Sequence, residues 1–370
     1  MRKKAFRYRS IFLYSSLQFC GNIEEYFAKN TQKLVVFIVL PRVKNRGNLL
    51  RVYKEGSIVE QKEIKLSENI FLYYFLWYIN YIMFIFKYFT KRDKVVVISF
   101  HPISFFGMGI QRLLRNVRFV FWTEYFPRIS LNLRLYDNLK RYFYKRVELS
   151  CYFGDGVNKL MNGRVLHTLR KRTILWGVNP KMKRIKMPGE KLNILFVGLV
   201  KESQGLDLVF EYLRQHEEYS LKIIGVCDDI LYTKYQKIFI QYQIAERVYF
   251  PNKFFSEKEL QGISKECFVG VAPYTTGKDN GTYYIDPGKI KAYAELGIPI
   301  VMSNTSAIAP YIKNFDCGEV IERTEKDLDT AFLRIRNNYS KYLKGLKKFN
   351  SFFYYESHYA KNFKLLESFS

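Results

Sequence analysis

Cysteine and histidine are scarce in this sequence of 370 residues, which contains five cysteines and four histidines. No two cysteines have the C-x-x-C spacing, and no histidine accompanies a cysteine at a spacing typical of zinc ligands. The cysteine pattern therefore argues against a disulfide framework and against a zinc site. It is typical of a protein in a reducing compartment.

Acidic residues are also few, with 34 Asp and Glu against 60 Lys and Arg. Residues 1–190 contain 36 basic and 12 acidic side chains, a net charge of +24, whereas residues 191–370 contain 24 and 22, a net charge of +2. A generally lysine-rich composition would not leave one half nearly neutral. The asymmetry predicts that the first half meets a polyanionic surface, either an anionic membrane leaflet or nucleic acid.

Long apolar runs are missing at the start of the chain, where Arg7, Arg9 and Gln18 interrupt the apolar residues. We therefore expect no secretory signal peptide. One run without charge, Ile70–Phe86, has 17 residues, which is near the lower limit for a membrane span. Its tyrosine and tryptophan side chains favour an interface over a bilayer centre. A buried helix, an interfacial helix and a membrane span all remain open for this run.

Short apolar runs alternate with helical segments along the chain, which is typical of α/β proteins. Strands are predicted in the first half near residues 6–14, 33–40, 95–100 and 117–122. A second strand–helix series begins at Leu192, after a stretch rich in Pro, Gly and charge. The predicted fold is α/β, with two doubly wound Rossmann-like domains facing a central cleft. The predicted boundaries are 1–175 for the N-terminal domain, 176–190 for the linker, 191–348 for the C-terminal domain, and 349–370 for a terminal helix crossing back to the first domain.

A turn, a helix and a strand follow one another over Tyr284–Val301. The turn has Pro and Gly at its end, and the helix begins near Lys289 and ends before Gly297. Free N–H groups and the positive end of the dipole make a helix N-terminus attractive to anions. The segment therefore predicts an anion site with Lys289 and Asp286 as its charged side chains. The alternatives are a solvated Lys289 and an Asp286 that only caps the helix.

Two segments of the second half resemble the C-terminal domain of family-4-like glycosyltransferases with the GT-B fold. The first is Ile194–Leu208, and the second is the pattern Pro287-x-Lys289-x-x-x-Tyr293-x-x-x-Gly297-x-Pro299. The resemblance implies transfer of a sugar from a nucleotide-sugar, usually with retention of configuration and without a metal ion or other cofactor. It also implies a donor site formed by Gly198, Lys201, Gly205, Lys253, Tyr284, Asp286 and Lys289.

The sequence departs from the family pattern at four positions. Leu199 and Gln204 stand where relatives commonly carry an Arg and a Lys that face the diphosphate, and Tyr284 and Ala292 replace a pair of glutamates. The cations available as replacements are Lys201, Lys253 and Lys289, and Asp286 is the carboxylate nearest to the lost pair.

Two residues of the first half follow predicted strands and are candidates for catalysis. In relatives a histidine near His101 contacts the donor sugar, although a histidine after a buried strand can equally be a core residue. Glu124 follows the strand at 117–122 and is the best candidate for an acceptor-side base, unless it only pairs with a cation such as Arg128.

Together these features predict a glycosyltransferase of cell-surface polysaccharide synthesis, such as lipopolysaccharide or capsule. Its expected partners are a nucleotide-sugar donor, a glycan or lipid-linked acceptor, and an anionic membrane met by the basic N-terminal half. We expect it in the cytoplasm, peripherally attached to the inner leaflet of the cell membrane. One alternative is a catalytically inactive relative that binds glycan precursors or a partner enzyme. A nucleic-acid-binding protein is a further alternative, which the absence of a recognised nucleic-acid-binding motif disfavours.

Overall fold

The computed structural model describes residues 6–15, 22–39, 48–67, 69–123, 131–182, 184, 186–189, 191–275, 284 and 286–369. The chain divides into two compact units. Unit 1 comprises Met1–Gly177 together with Tyr355–Ser370, and unit 2 comprises Val178–Tyr354.

Unit 1 is built on an eight-stranded sheet with the order β4-β3-β2-β1-β5-β6-β7-β8. The strands are β1 (Tyr8–Ser15), β2 (Thr31–Ile38), β3 (Asn48–Lys54), β4 (Ser57–Ile64), β5 (Val95–Ser99), β6 (Val117–Thr123), β7 (Leu149–Tyr152) and β8 (Lys171–Thr173). The central strands are parallel, and Ile11 of β1 lies opposite Leu34 on one side and Val96 on the other. Their apolar residues are buried on both faces, as parallel strands covered by helices require. The strand order reverses between β1 and β5, so a switch point lies at their carboxyl ends.

The helices of unit 1 connect these strands. They are α1 (Ile23–Asn30), α2 (Ile70–Tyr88), α3 (Met108–Arg115), α4 (Leu131–Tyr144) and α5 (Asp155–Asn162). The predicted run at 70–86 forms most of α2, and one side of α2 packs on the sheet through Trp77, Tyr81 and Phe84. Among the helices described, none has the length and apolar character needed to cross a membrane.

Unit 2 contains a fully parallel sheet of six strands with the order β11-β10-β9-β12-β13-β14. The strands are β9 (Leu192–Val197), β10 (Tyr219–Ile224), β11 (Val248–Tyr249), β12 (Cys267–Ala272), β13 (Ile300–Ser303) and β14 (Gly318–Ile321). From the centre of the sheet, β9, β10 and β11 follow one another toward one edge, and β12, β13 and β14 follow one another toward the other edge. The loops after β9 and β12 therefore meet at a topological switch point.

Helices cover the sheet of unit 2 and complete its core. They are α6 (Asp207–Gln215), α7 (Asp229–Gln241), α8 (Glu257–Ser264), α9 (Gly288–Glu295), α10 (Ala309–Phe315), α11 (Glu325–Asn337) and α12 (Tyr339–Phe352). Aromatic rings fill much of the core, and Phe332 of α11 contacts both Tyr219 and Phe268 of the sheet.

The terminal segment is not the single helix predicted from Phe349 onward. α12 ends at Phe352, and a separate helix, α13 (Tyr355–Asn362), follows. Tyr359 of α13 and Phe363 directly after it contact the ring of Trp122 in β6. These aromatic contacts hold α13 within unit 1.

The predicted α/β architecture of two doubly wound sheets is confirmed. The structure adds the antiparallel pair β3 and β4 at one edge of the first sheet and the short strands β7 and β8 at the other. None of these four strands is among those predicted above for the first half.

Candidate functional site

A cavity of about 350 Å³ lies at the switch point of unit 2. In doubly wound sheets, ligands bind beyond the carboxyl ends of the strands at such a point. The loop after β9, the end of β12 and the first turns of α9 form the walls. The lining residues are Val197, Gly198, Leu199, Lys201, Gln204, Tyr274, Pro287, Gly288, Lys289 and Ala292.

Lys289 brings a cation into this cavity from the start of α9. Its Nζ donates a hydrogen bond to Oε1 of Gln204 at 2.5 Å and lies 3.7 Å from the centre of the Phe196 ring. Burial lowers the pKa of Lys289 well below its ordinary value of 10.5. Among the described residues, no carboxylate lies within ion-pair distance of this ammonium. The site thus has a half-buried amine that holds its proton less readily than an ordinary lysine, and an anionic ligand would favour its charged form.

The backbone also approaches the cavity closely, because two glycines adopt conformations that side chains disfavour. Gly198 has a φ of +112°, and a Cβ there would lie 3.8 Å from Cε of Lys289. Gly205 has a φ of +72°, and a Cβ there would lie 1.9 Å from the carbonyl oxygen of Pro273. Gly198 leaves room beside the ammonium, whereas Gly205 allows the loop to pack against the end of β12.

Two tyrosines that were not among the predicted site residues shape the site. Tyr293 of α9 donates to the carbonyl of Val271 at 2.8 Å and accepts from the N–H of Val197 at 3.1 Å, which joins α9 to both strands of the switch point. Tyr274 lines the cavity and is 1% exposed, and its hydroxyl has no hydrogen-bond partner among the residues that the structure describes. That hydroxyl is a buried polar group for a ligand to satisfy.

The predicted donor residues are only partly brought together. Gly198, Lys201 and Lys289 line the cavity, and Gly205 lies directly behind it. Lys253 is exposed and pairs with Glu259 at 3.2 Å, outside the cavity lining.

Two further predicted donor residues also lie outside that lining. Tyr284 is half-buried. The side chain of Asp286 is fully buried, with Oδ2 3.4 Å from Nζ of Lys291. The N-cap residue of α9 is Pro287, so Asp286 does not occupy the capping position considered above.

His101 follows β5 at the switch point of unit 1. Its Nδ1 accepts the N–H of Ile103 at 3.2 Å, which caps a short 3-10 turn at Pro102–Phe105. Burial among aromatic rings, with the Trp77 ring centre at 4.5 Å, lowers the pKa of His101 to about 3. The neutral ring therefore carries its proton on Nε2 and can donate one hydrogen bond there. The second predicted catalytic residue, Glu124, lies outside the described residues.

Within the described part of the chain, no cluster of three His, Cys, Asp or Glu side chains is placed to hold a metal ion. The cations and N–H groups at the cavity are suited to an anionic group that approaches the backbone, such as a phosphate or diphosphate.

No protein-family model and no curated protein matches the sequence. Solved structures do match over nearly the whole chain. Sucrose-phosphate synthase from Thermosynechococcus elongatus is similar with a TM-score of 0.71 and 14% identity, covering 97% of this chain and 99% of that one. The E. coli trehalose-6-phosphate structure bound with UDP-2-fluoro glucose has a TM-score of 0.67 and 13% identity, with the same coverage.

The lipopolysaccharide outer core galactosyltransferase WaaB is also similar, with a TM-score of 0.61 and 15% identity, again covering 97% of this chain and 99% of that one. At these identities the likeness concerns the fold. Two doubly wound units, matched over 97% of the chain, therefore give this chain the GT-B fold.

Proposed function

We propose that the protein is a glycosyltransferase that moves a sugar from a nucleotide-sugar to a glycan or lipid-linked acceptor, with retention of configuration, in cell-surface polysaccharide synthesis. The observation that carries the proposal is the half-buried amine of Lys289 at the switch-point cavity, in the first turn of α9. A nucleoside diphosphate is the leaving group of such a reaction. Cations and helix N-termini stabilise the negative charge that this group gains.

Lys289 replaces a cation that the sequence lacks. The family-like pattern places a Lys at position 204, where this chain has Gln, and the Lys289 ammonium lies 2.5 Å from the Oε1 of that Gln. The positive charge therefore reaches the same part of the cavity from α9 rather than from the loop after β9. Lys201, which is exposed on the cavity wall, supplies a second charge.

The sugar and ribose ends of the donor need other groups, because Ala292 lines the cavity where relatives carry a glutamate. The unpartnered hydroxyl of Tyr274 is available to a ligand hydroxyl. In unit 1, the Nε2–H of His101 is available as a hydrogen-bond donor for a sugar oxygen. Because its pKa is about 3, His101 is a poor proton acceptor near neutral pH. Glu124 remains the predicted acceptor-side base.

The ligands of similar solved structures support this choice of donor. UDP is bound in a pneumococcal O-GlcNAc transferase and in TarM of S. aureus, and ADP is bound in a starch synthase of Arabidopsis thaliana. We infer that this chain also uses a nucleoside diphosphate sugar. The basic first half then keeps it at the inner leaflet of the cell membrane, where lipid-linked acceptors are held.

Titration calorimetry with a panel of UDP-, GDP-, ADP- and dTDP-sugars tests the proposal. We expect one nucleotide to bind, and Lys289→Ala to weaken it by tenfold or more, because a hydrogen bond to a charged group contributes about 1.5 to 3 kcal/mol. Lys258→Ala, which removes an exposed lysine of α8 outside the cavity, is the matched control. Failure of the whole panel to bind would refute the proposal.

The replacement of both motif glutamates, by Tyr284 and Ala292, favours a second candidate, an inactive GT-B relative that only binds glycan precursors or a partner enzyme. The two candidates differ in turnover rather than in binding. Slow hydrolysis of the bound nucleotide-sugar, followed by release of free nucleoside diphosphate, would identify an enzyme. Tight binding with no hydrolysis and no transfer to any acceptor lipid would identify the binding protein.

A further inference from the structure

Helix α3 of unit 1 has its apolar stripe on the side that faces solvent. Ile110, Leu113 and Leu114 are spaced by three and four residues and so lie on one side of the helix, and all three are exposed, Leu113 by 85%. Gln111 points inward instead, accepts from the Tyr81 hydroxyl at 3.0 Å and donates to the Phe106 carbonyl at 2.8 Å. A surface helix of a water-soluble domain normally has the opposite arrangement.

Helix α4 shows the same reversal. Leu135, Leu139 and Tyr142 recur at intervals of four and three residues, and all three are exposed. Asp137 and Lys140 are almost fully buried, with 3.4 Å between Oδ1 and Nζ. Burying a charged pair while exposing leucine on the same helix costs free energy in water. The outward side of α4 is therefore matched to an apolar environment.

Helix α2 continues this surface. Phe71 is 84% exposed, and Leu72, Phe75, Met83 and Phe86 are also exposed, while the opposite side of the helix packs on the sheet. Five large apolar side chains on the outer side of a single helix exceed the scattered exposure that is ordinary for soluble proteins.

The three helices are neighbours on one side of the sheet. The hydrogen bond from Tyr81 to Gln111 joins α2 to α3. The ring of Phe106, just before α3, contacts Tyr78 of α2 and Phe143 of α4. The exposed residues thus form one surface, the apolar helix face, which consists of Phe71, Leu72, Phe75, Met83, Phe86, Ile110, Leu113, Leu114, Leu135, Leu139 and Tyr142.

The charged residues of α2, α3 and α4 indicate which kind of partner covers the apolar helix face. The only acidic residue in α2, α3 and α4 is the buried Asp137. The basic residues of these helices and of the two positions after α4 are Lys87, Arg112, Arg115, Arg134, Lys140, Arg141, Lys145 and Arg146. The guanidinium of Arg146 lies 3.7 Å from the centre of the exposed Tyr142 ring, so a cation borders the apolar residues directly. Lys87 and Arg112 also pair with carboxylates of the sheet, Glu60 at 3.5 Å and Glu148 at 2.9 Å, and Lys140 is buried beside Asp137. In the described parts of α2, α3 and α4 themselves, however, no carboxylate is exposed. Helices that expose apolar side chains and cations but no carboxylate of their own match acyl chains beneath anionic headgroups.

We propose that the apolar helix face inserts into the hydrocarbon boundary of an anionic lipid leaflet, with α2, α3 and α4 lying in the membrane plane. This rests on the membrane attachment in the proposed function and deepens it, because it names the surface that enters the lipid, which is distinct from the donor cavity. Hydrophobic insertion, rather than charge alone, then holds the protein on the membrane. Attachment should therefore survive salt that screens the basic residues.

Flotation with vesicles of phosphatidylcholine and phosphatidylglycerol tests the proposal. We expect the protein to stay on the vesicles at about 1 M NaCl, where the Debye length is about 3 Å. The double variant Phe71→Gln/Leu113→Gln should bind about tenfold more weakly, because two apolar side chains no longer leave water. Both residues are exposed, so the variant should keep the wild-type melting temperature. Ile230→Gln, which removes an equally exposed isoleucine from α7 of unit 2, should bind as the wild type does.

Three outcomes would overturn the proposal: no binding to these vesicles, complete release at high salt, or equal binding by the double variant. A wild-type dimer in sedimentation that the double variant disperses would also overturn it, since the face would then be covered by a second copy. Calorimetric binding of the nucleotide-sugar is measured on the same proteins without vesicles. A failure of the membrane proposal is therefore distinguishable from a failure of the proposed reaction.

Discussion

The Lys289 ammonium and the Gln204 side chain meet at 2.5 Å, although 85 residues separate them in the chain. The contact joins the first turn of α9 to the loop after β9, which are two walls of the switch-point cavity. It predicts that the position of the positive charge matters more than the residue that carries it.

A lysine placed at position 204 should therefore compensate for the loss of the Lys289 ammonium. Lys289→Ala should weaken nucleoside diphosphate binding by tenfold or more, and Lys289→Ala/Gln204→Lys should recover much of that loss. Gln204→Lys alone places two ammonium groups together, which should lower the melting temperature. Calorimetry and thermal unfolding of the four proteins measure both effects. A double variant that binds no better than Lys289→Ala would show that the geometry at Lys289 is needed.

Binding at this cavity should also depend on pH. Burial lowers the pKa of Lys289 well below 10.5, and only the ammonium form attracts a diphosphate. Affinity should therefore fall as the pH rises through the lowered pKa, and binding near or above it should take up a proton. Calorimetry in buffers with different ionisation enthalpies measures this uptake. Lys289→Arg, which stays charged throughout, should bind with little pH dependence.

The stability of unit 2 should also depend on the protonation of Lys289, but it should increase with pH, whereas nucleotide affinity decreases. Between the lowered pKa and 10.5, the unfolded chain binds a proton at Lys289 that the folded chain does not. The free energy of unfolding of the ligand-free protein should then rise with pH in this window. Urea titrations at several pH values should show a smaller rise in Lys289→Met. Equal slopes for the two proteins would contradict the lowered pKa.

Tyr293 should matter for stability through its hydroxyl. Tyr293→Phe leaves the buried carbonyl of Val271 and the N–H of Val197 without this partner, which should cost about 1 to 3 kcal/mol in urea unfolding. Tyr249→Phe is the matched control, because Tyr249 is half-exposed at the sheet edge. Nucleotide affinity should fall as well, since α9 loses its attachment to both strands of the switch point.

Asp286 should be needed for the stability of unit 2 but not for nucleotide binding. Asp286→Asn leaves the Lys291 ammonium, which is 3.6 Å from the centre of the Phe353 ring, without its carboxylate. Removing one partner of a buried ion pair typically costs about 3 kcal/mol or more. Unfolding should show this loss, while the folded variant should keep its nucleotide affinity. A stable variant with lost affinity would instead support the donor-binding role predicted from the sequence.

The sequence predicted the central strands well, because runs such as Leu192–Val197 combine apolar character with turn signals at both ends. It did not predict β7 and β8, since four and three residues are too short to show a pattern. The run at Ile70–Phe86 could not be assigned to one environment, because it is apolar on all sides. In the structure one side packs on the sheet and the other is exposed.

The donor site was predicted only in part, for a different physical reason. Lys289 was singled out because a helix start attracts anions, and the structure places it at the cavity. Asp286 and Lys253 lie in equally suggestive sequence positions but pair with Lys291 and Glu259. Which side chain turns toward a ligand and which toward a partner depends on contacts that no local spacing records. Tyr274 carried no local signal at all.

The return of α13 to unit 1 has a consequence during synthesis on the ribosome. Tyr359 and Phe363 contact Trp122, and Phe363 also contacts Phe27, so these rings are part of the core of unit 1. They are translated only after every residue of unit 2. Unit 2 can therefore finish folding before unit 1, whose core remains incomplete until α13 has been translated. A nascent chain stalled near residue 354 should have a protease-resistant unit 2 and a protease-sensitive unit 1.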